Sequence, residues 1–109
     1  PMKLGFASAI LPDLSLEQVL KFAAEEKFSC VEVMCWPVGR AERKYAGITH
    51  IDVTNFKRGD VPRIHDLVAR HGVEISALGY YPNALDPDRT TSARAVAHIK
   101  KVIRASALL

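Results

Sequence analysis

The chain has 109 residues, roughly the length of one domain. Hydrophobic residues make up 49% of it and charged residues 25%, with a formal net charge of +3. That composition excludes a disordered tail, a collagen-like rod and a disulfide mini-protein, and the charge is too small to argue for nucleic-acid binding.

The first strand is expected from Lys3 to Ile10, apolar nearly throughout, as in a strand covered on both faces. Pro12 and Asp13 end it. Ser15 then opens a helix, with Gln18 at the capping-box spacing. Leu16, Val19, Leu20, Ala23 and Ala24 share one face of a helical period, and Lys21, Glu25 and Glu26 take the wet side. A second strand is expected from Cys30 to Trp36, stopped by Pro37, Val38 and Gly39. Its two cysteines, Cys30 and Cys35, are off the C-x-x-C spacing of redox and zinc sites. Their odd separation points them to opposite faces of a strand, so a disulfide between them is geometrically poor. Free thiols suit a reducing compartment, which favours the cytoplasm. With no charged leader before an apolar segment and no apolar run of about 18 residues, neither a signal peptide nor a membrane span is expected.

Residues 39–60 read as a long, basic, turn-rich connection holding Arg40, Arg43, Lys44, Lys57 and Arg58. Loops of this length are uncommon in compact domains and are often functional. Thr49 to Val53 suits a short extended piece inside it. A second helix should start after Asp60 as N-cap, with Pro62 in its first turn and a stripe of Ile64, Leu67 and Val68. His71 and Gly72 make its stop. The third strand spans Val73 to Tyr80, and a turn-rich loop from Pro82 to Asp88 leads to a third helix near Thr91. That helix carries Ala95, Val96, Ile99, Val102, Ile103 and Ala107 as its apolar side. Strand and helix alternate three times, so the fold class is α/β: three consecutive βα units with parallel strands, one partial domain over residues 1–109. Three parallel strands leave two sheet edges to be covered, and the chain ends on an apolar Ala107-Leu108-Leu109; both suggest a piece of a larger α/β protein.

In such folds sites form where the C-terminal strand ends meet the loops. Glu32 is a carboxylate within an apolar strand and needs a cation, a donor or water. It reads either as a ligand-orienting acid or as the partner of a lysine or arginine. Trp36 can stack on the apolar face of a sugar or anchor a loop. Tyr80, Tyr81 and Asn83 can line a polar pocket or simply pack their loop. His50, with Arg43, Tyr45 and Asp52, is the best single contact for an anionic or hydroxylated ligand, against a solvated basic surface as the bland reading. The four histidines show no HExxH, no His-x-His and no carboxylate cluster, so no metal site is expected within this chain. Nucleotide-binding glycine motifs and a G-x-S-x-G elbow are missing too, and no self-sufficient catalytic set stands out.

The run KLGFASAILPDLSLEQVLKFAAEEKFSCVEVMCWP resembles the opening of the sugar phosphate isomerase/epimerase family, the xylose isomerase-like TIM barrels. The likeness continues through YAGITHIDV, VEISALGYYPNALDPD and RAVAHIKKVIRASALL, and so covers nearly the whole chain. It implies the first part of a (β/α)8 barrel, whose members hold a divalent cation through ligands on later strands. It also implies proton transfer between adjacent carbons of a small sugar, sugar phosphate or polyol, with the bases beyond residue 109 and this chain alone inactive. Carried over by position, the substrate-side lining would be Phe6, Ser8, Glu32, Trp36, Tyr80 and Asn83. The related endonuclease branch has a metal-binding histidine at the end of its third strand. Here that stretch reads Leu78-Gly79-Tyr80-Tyr81, which counts against DNA as substrate. The rival expectation is a stand-alone α/β module without catalysis, which binds a partner or hides its sheet edges by self-association.

Overall fold

A computed structural model describes residues 2–39 and 46–109. Arg40, Arg43, Lys44 and Tyr45 of the basic connection lie outside the described residues. Three strands, β1 (Gly5–Ala7), β2 (Cys30–Met34) and β3 (Glu74–Gly79), alternate with three helices, α1 (Leu16–Glu25), α2 (Val61–His71) and α3 (Arg89–Leu108). The strands form one parallel sheet in the order β1-β2-β3. The α/β class and the repeated βα order are therefore as expected.

The core lies on one side of the sheet. Val31, Val33 and Cys35 alternate along β2 and its extension, and they are buried with Leu16, Val19, Leu20 and Ala23 of α1 and Ile64 and Leu67 of α2. Phe6 pairs with Val31 in register and shares that side. Ala7, Glu32 and Ala77 align across the three strands on the opposite side, and none of them belongs to the helix-packed core. The ladder between β2 and β3 shifts between Val31 and Glu32, where Ser76 is the extra residue on β3. A bulge of this kind re-aims the side chains that follow it.

All three strands are shorter than their apolar runs. β1 stops at Ala7, and Ser8–Ile10 form a 3-10 turn closed by Leu11 N–H on the Ser8 carbonyl at 2.9 Å. The expected coverage of both faces fails with it, since Leu4 and Ile10 are exposed. β2 ends at Met34; Cys35 then makes a single antiparallel bridge to Thr49, the only trace of the extended piece expected over 49–53. That segment is more than a solvated loop, because Ile51 and Val53 enter the core. Both cysteines are free, and burial pushes the Cys35 thiol up to about 12.

The helix ends follow their capping chemistry. Ser15 Oγ accepts from Gln18 N–H at 3.2 Å while Gln18 Oε1 accepts from Ser15 N–H at 2.9 Å, a complete capping box. Gly72 closes α2 in the left-handed region at φ 66°. α2 starts after Asp60 as expected, but the Asp60 side chain makes no capping bond to it. Asp60 already sits in a 3-10 turn over Arg58–Asp60 with helical backbone angles, and its carboxylate accepts from Lys57 N–H instead. In α3 the buried face is Ala95, His98, Val102 and Ala105, while the expected core residues Val96 and Ile103 are exposed. A polar anchor at His98 sets that rotation.

Candidate functional site

At the end of β1 the Ser8 side chain is fully buried, and its oxygen accepts the Met34 N–H at 2.9 Å. This side-chain bond takes the place of the ladder carbonyl that a longer β1 would have offered. His50 Nδ1 lies 2.7 Å from Ser8 Oγ, and its Nε2 lies 3.0 Å from the Leu11 carbonyl oxygen. A carbonyl can only accept, so the neutral ring carries its proton on Nε2, and Nδ1 accepts from the Ser8 hydroxyl. Burial holds His50 below its ordinary pKa, outweighing the opposite pull of the Leu11 and Leu14 carbonyls. Ser8 and His50, 42 residues apart, thus form a clip between the ends of β1 and β2 and the 46–53 segment, with both ring nitrogens engaged.

The ends of β2 and β3 carry an aromatic wall. The Trp36 and Tyr80 rings meet edge to face, centroids 4.9 Å apart at 86°, and Tyr80 meets His98 in the same way at 4.7 Å and 74°. His98 is buried in α3, and its Nε2 donates to the Cys35 carbonyl at 2.6 Å. It ties α3 to the end of β2 and backs the Tyr80 ring. Burial raises the Tyr80 pKa, so its phenol stays protonated at neutral pH. Trp36 and Tyr80 form part of a groove of about 500 Å³ that also has Asn83, Asp86, Thr91 and Arg94 in its lining. Asn83 Oδ1 accepts from Leu85 N–H at 3.1 Å, which leaves its amide hydrogens as donors.

Glu32 lies on the core-free side of the sheet and accepts a hydrogen bond from the Tyr81 hydroxyl at 2.6 Å. Its acid is met by a phenol rather than by the lysine or arginine weighed from the sequence. That bond is the main reason why the Tyr81 pKa is raised. Gly79 is small for the same contact: a Cβ there would run into the Met34 side chain and Glu32 Oε1.

The expected site residues therefore fall into groups. Trp36, Tyr80 and Asn83 share the groove, Ser8 and His50 share the clip, and Glu32 pairs with Tyr81. Phe6 stands apart from the strand ends. Its ring packs on Phe22 and Phe28, with centroids at 5.8 and 5.0 Å, because β1 turns that side chain toward the helices. His98 and Arg94 belong to these groups without having been expected there. The spacing of His98 from Ala95 and Val102 matches a buried helix face and is the available signal; nothing in the sequence pattern singles out Arg94. Among the described residues no three His, Cys, Asp or Glu side chains gather as a metal-holding group. No helix among the described residues is long and apolar enough to cross a membrane. Compared with protein-family models, curated proteins and solved structures, the chain gives no match.

Proposed function

We propose that this chain forms the substrate-side part of a sugar or polyol isomerase/epimerase barrel, acting in the cytoplasm. The observation that carries this reading is the Trp36–Tyr80 wall beside Asn83 at the C-terminal ends of neighbouring parallel strands. Aromatic rings take the apolar face of a sugar, and nearby amide and hydroxyl groups orient its oxygens. In this reading Trp36, Tyr80 and Asn83 bind and orient substrate, and Glu32 with Tyr81 offers a polar pair on the side that would face a barrel interior. The proton transfer and the divalent cation of such an enzyme belong to other strands, and no catalytic step is assigned to residues of this chain.

Trp36 is the single tryptophan, so its fluorescence reports on the groove directly. Titration with a panel of aldoses, ketoses and polyols should give a saturable change in the millimolar range, about 4 kcal/mol of binding. Tyr80→Leu should weaken it several-fold by removing the ring that supports the indole. A flat response to every member of the panel overturns the reading.

A further inference from the structure

We propose that the groove selects sugars bearing a single carboxylate, with Arg94 as the residue that reads the charge. This deepens the carbohydrate reading of the groove and rests on it. Arg94 is exposed on α3 and lines the groove with Trp36 and Tyr80. Among the described residues it holds no ion pair, and it exerts a through-space pull on Asp88. A guanidinium presents a planar fork that matches the two oxygens of a carboxylate. In the same lining, Asn83 has amide hydrogens to donate to a ring oxygen or hydroxyl.

The surrounding carboxylates decide between one negative charge and two. Asp86 lines the groove, with its Oδ1 accepting from Asp88 N–H at 2.9 Å. Asp88 accepts from Thr90 N–H, Thr91 N–H and the Thr91 hydroxyl, and those bonds keep it ionised. The amides at the start of α3 that would welcome a phosphate are therefore already taken by an anion. Asp86 in the lining and Asp88 beside it repel any anion, about twice as strongly for a phosphate dianion as for a monocarboxylate, whose two oxygens one guanidinium can engage together. Asp86 remains useful to a sugar acid, since its free carboxylate oxygen can accept from a hydroxyl.

The test is a titration of Trp36 fluorescence in the 109-residue chain with D-glucuronate, D-glucose and D-glucose 6-phosphate at low ionic strength. Glucuronate should bind about fivefold tighter than glucose, an advantage that shrinks with added salt, and glucose 6-phosphate should bind no tighter than glucuronate. Arg94→Gln should bring glucuronate to the level of glucose, and Arg94→Lys should restore part of the gain; circular dichroism checks that each variant is folded. Equal binding of glucose and glucuronate, tightest binding of the phosphate, or a preference that survives Arg94→Gln would each overturn the proposal while leaving the carbohydrate reading in place. No saturable response to any of the three would overturn the proposal together with that reading.

Discussion

Single residues at the strand ends show how little room this sheet leaves. Gly5 sits opposite Cys30, and a Cβ added there would collide with the Cys30 carbonyl oxygen and thiol. The carbonyl belongs to the backbone of the central strand and cannot swing aside as a flexible side chain could. Gly5→Ala should therefore push β1 away from β2 and destabilise the chain by about 1–3 kcal/mol, the usual cost of overpacking. A denaturant midpoint that stays unchanged in this variant would show that β1 moves without cost. The same tightness at Gly79 protects the Glu32–Tyr81 contact, so that pair depends on a residue with no side chain of its own.

At the scale of elements, the 46–53 segment is held to the end of β2 by a few backbone bonds, among them His50 N–H to the Met34 carbonyl, and by the His50 side chain, and that side chain makes it sensitive to pH. The unfolded chain takes up the His50 proton near the ordinary histidine value; the folded chain does so only at lower pH, because the ring is buried. Between those two points the unfolded state binds more protons, so stability rises with pH and is fully present above the unfolded value. Protonated Nδ1 could no longer accept from Ser8, and the buried hydroxyl hydrogen would lose its acceptor. The melting temperature should fall between pH 7.5 and pH 5.5, and His50→Gln should flatten that dependence. An equal fall in both proteins would assign the effect to other groups.

The elements differ in how far the sequence revealed them, and the reason is local versus distant bonding. The start of α1 and the stop of α2 were legible because Ser15, Gln18 and Gly72 act within a turn of their own backbone. The strand ends were not, because β1 is cut short by a bond from Ser8 to Met34 across the sheet, which no apolar run can signal. The face of α3 was misjudged for a related reason: a histidine outranks Val96 and Ile103 once the Cys35 carbonyl needs a donor. For the site, strand-end position drew attention to Trp36, Tyr80 and Asn83 one by one, and that they share one groove emerges only in the fold. The clip, the Glu32–Tyr81 bond and the part of Arg94 required the fold.

At the scale of the whole molecule, the sheet is covered by helices on the side of Val31, Val33 and Cys35, while the row of Ala7, Glu32 and Ala77 lies outside the packed core. Ser76 and Ala77 on the outer strand β3 are exposed, and so is Leu4 ahead of β1. Parallel sheets are normally covered on both faces, and open edges are templates for pairing. The two expectations for this chain part here. As the substrate-side part of a barrel, it should be a marginally stable monomer when dilute, with a shallow unfolding transition and disordered aggregation as concentration rises. As a self-sufficient module, it should bury the same edges in a discrete symmetric oligomer and unfold steeply at a midpoint that rises with concentration. Light scattering coupled to size exclusion, with denaturant unfolding at two concentrations, separates them. We expect a monomer peak that erodes into aggregate without a defined intermediate size, because both outer strands, β1 and β3, leave backbone groups open to pairing with any other chain. A stable dimer or tetramer with a concentration-dependent midpoint would transfer the reading from barrel part to self-associating module, and the groove at Trp36 would then have to be read within that assembly.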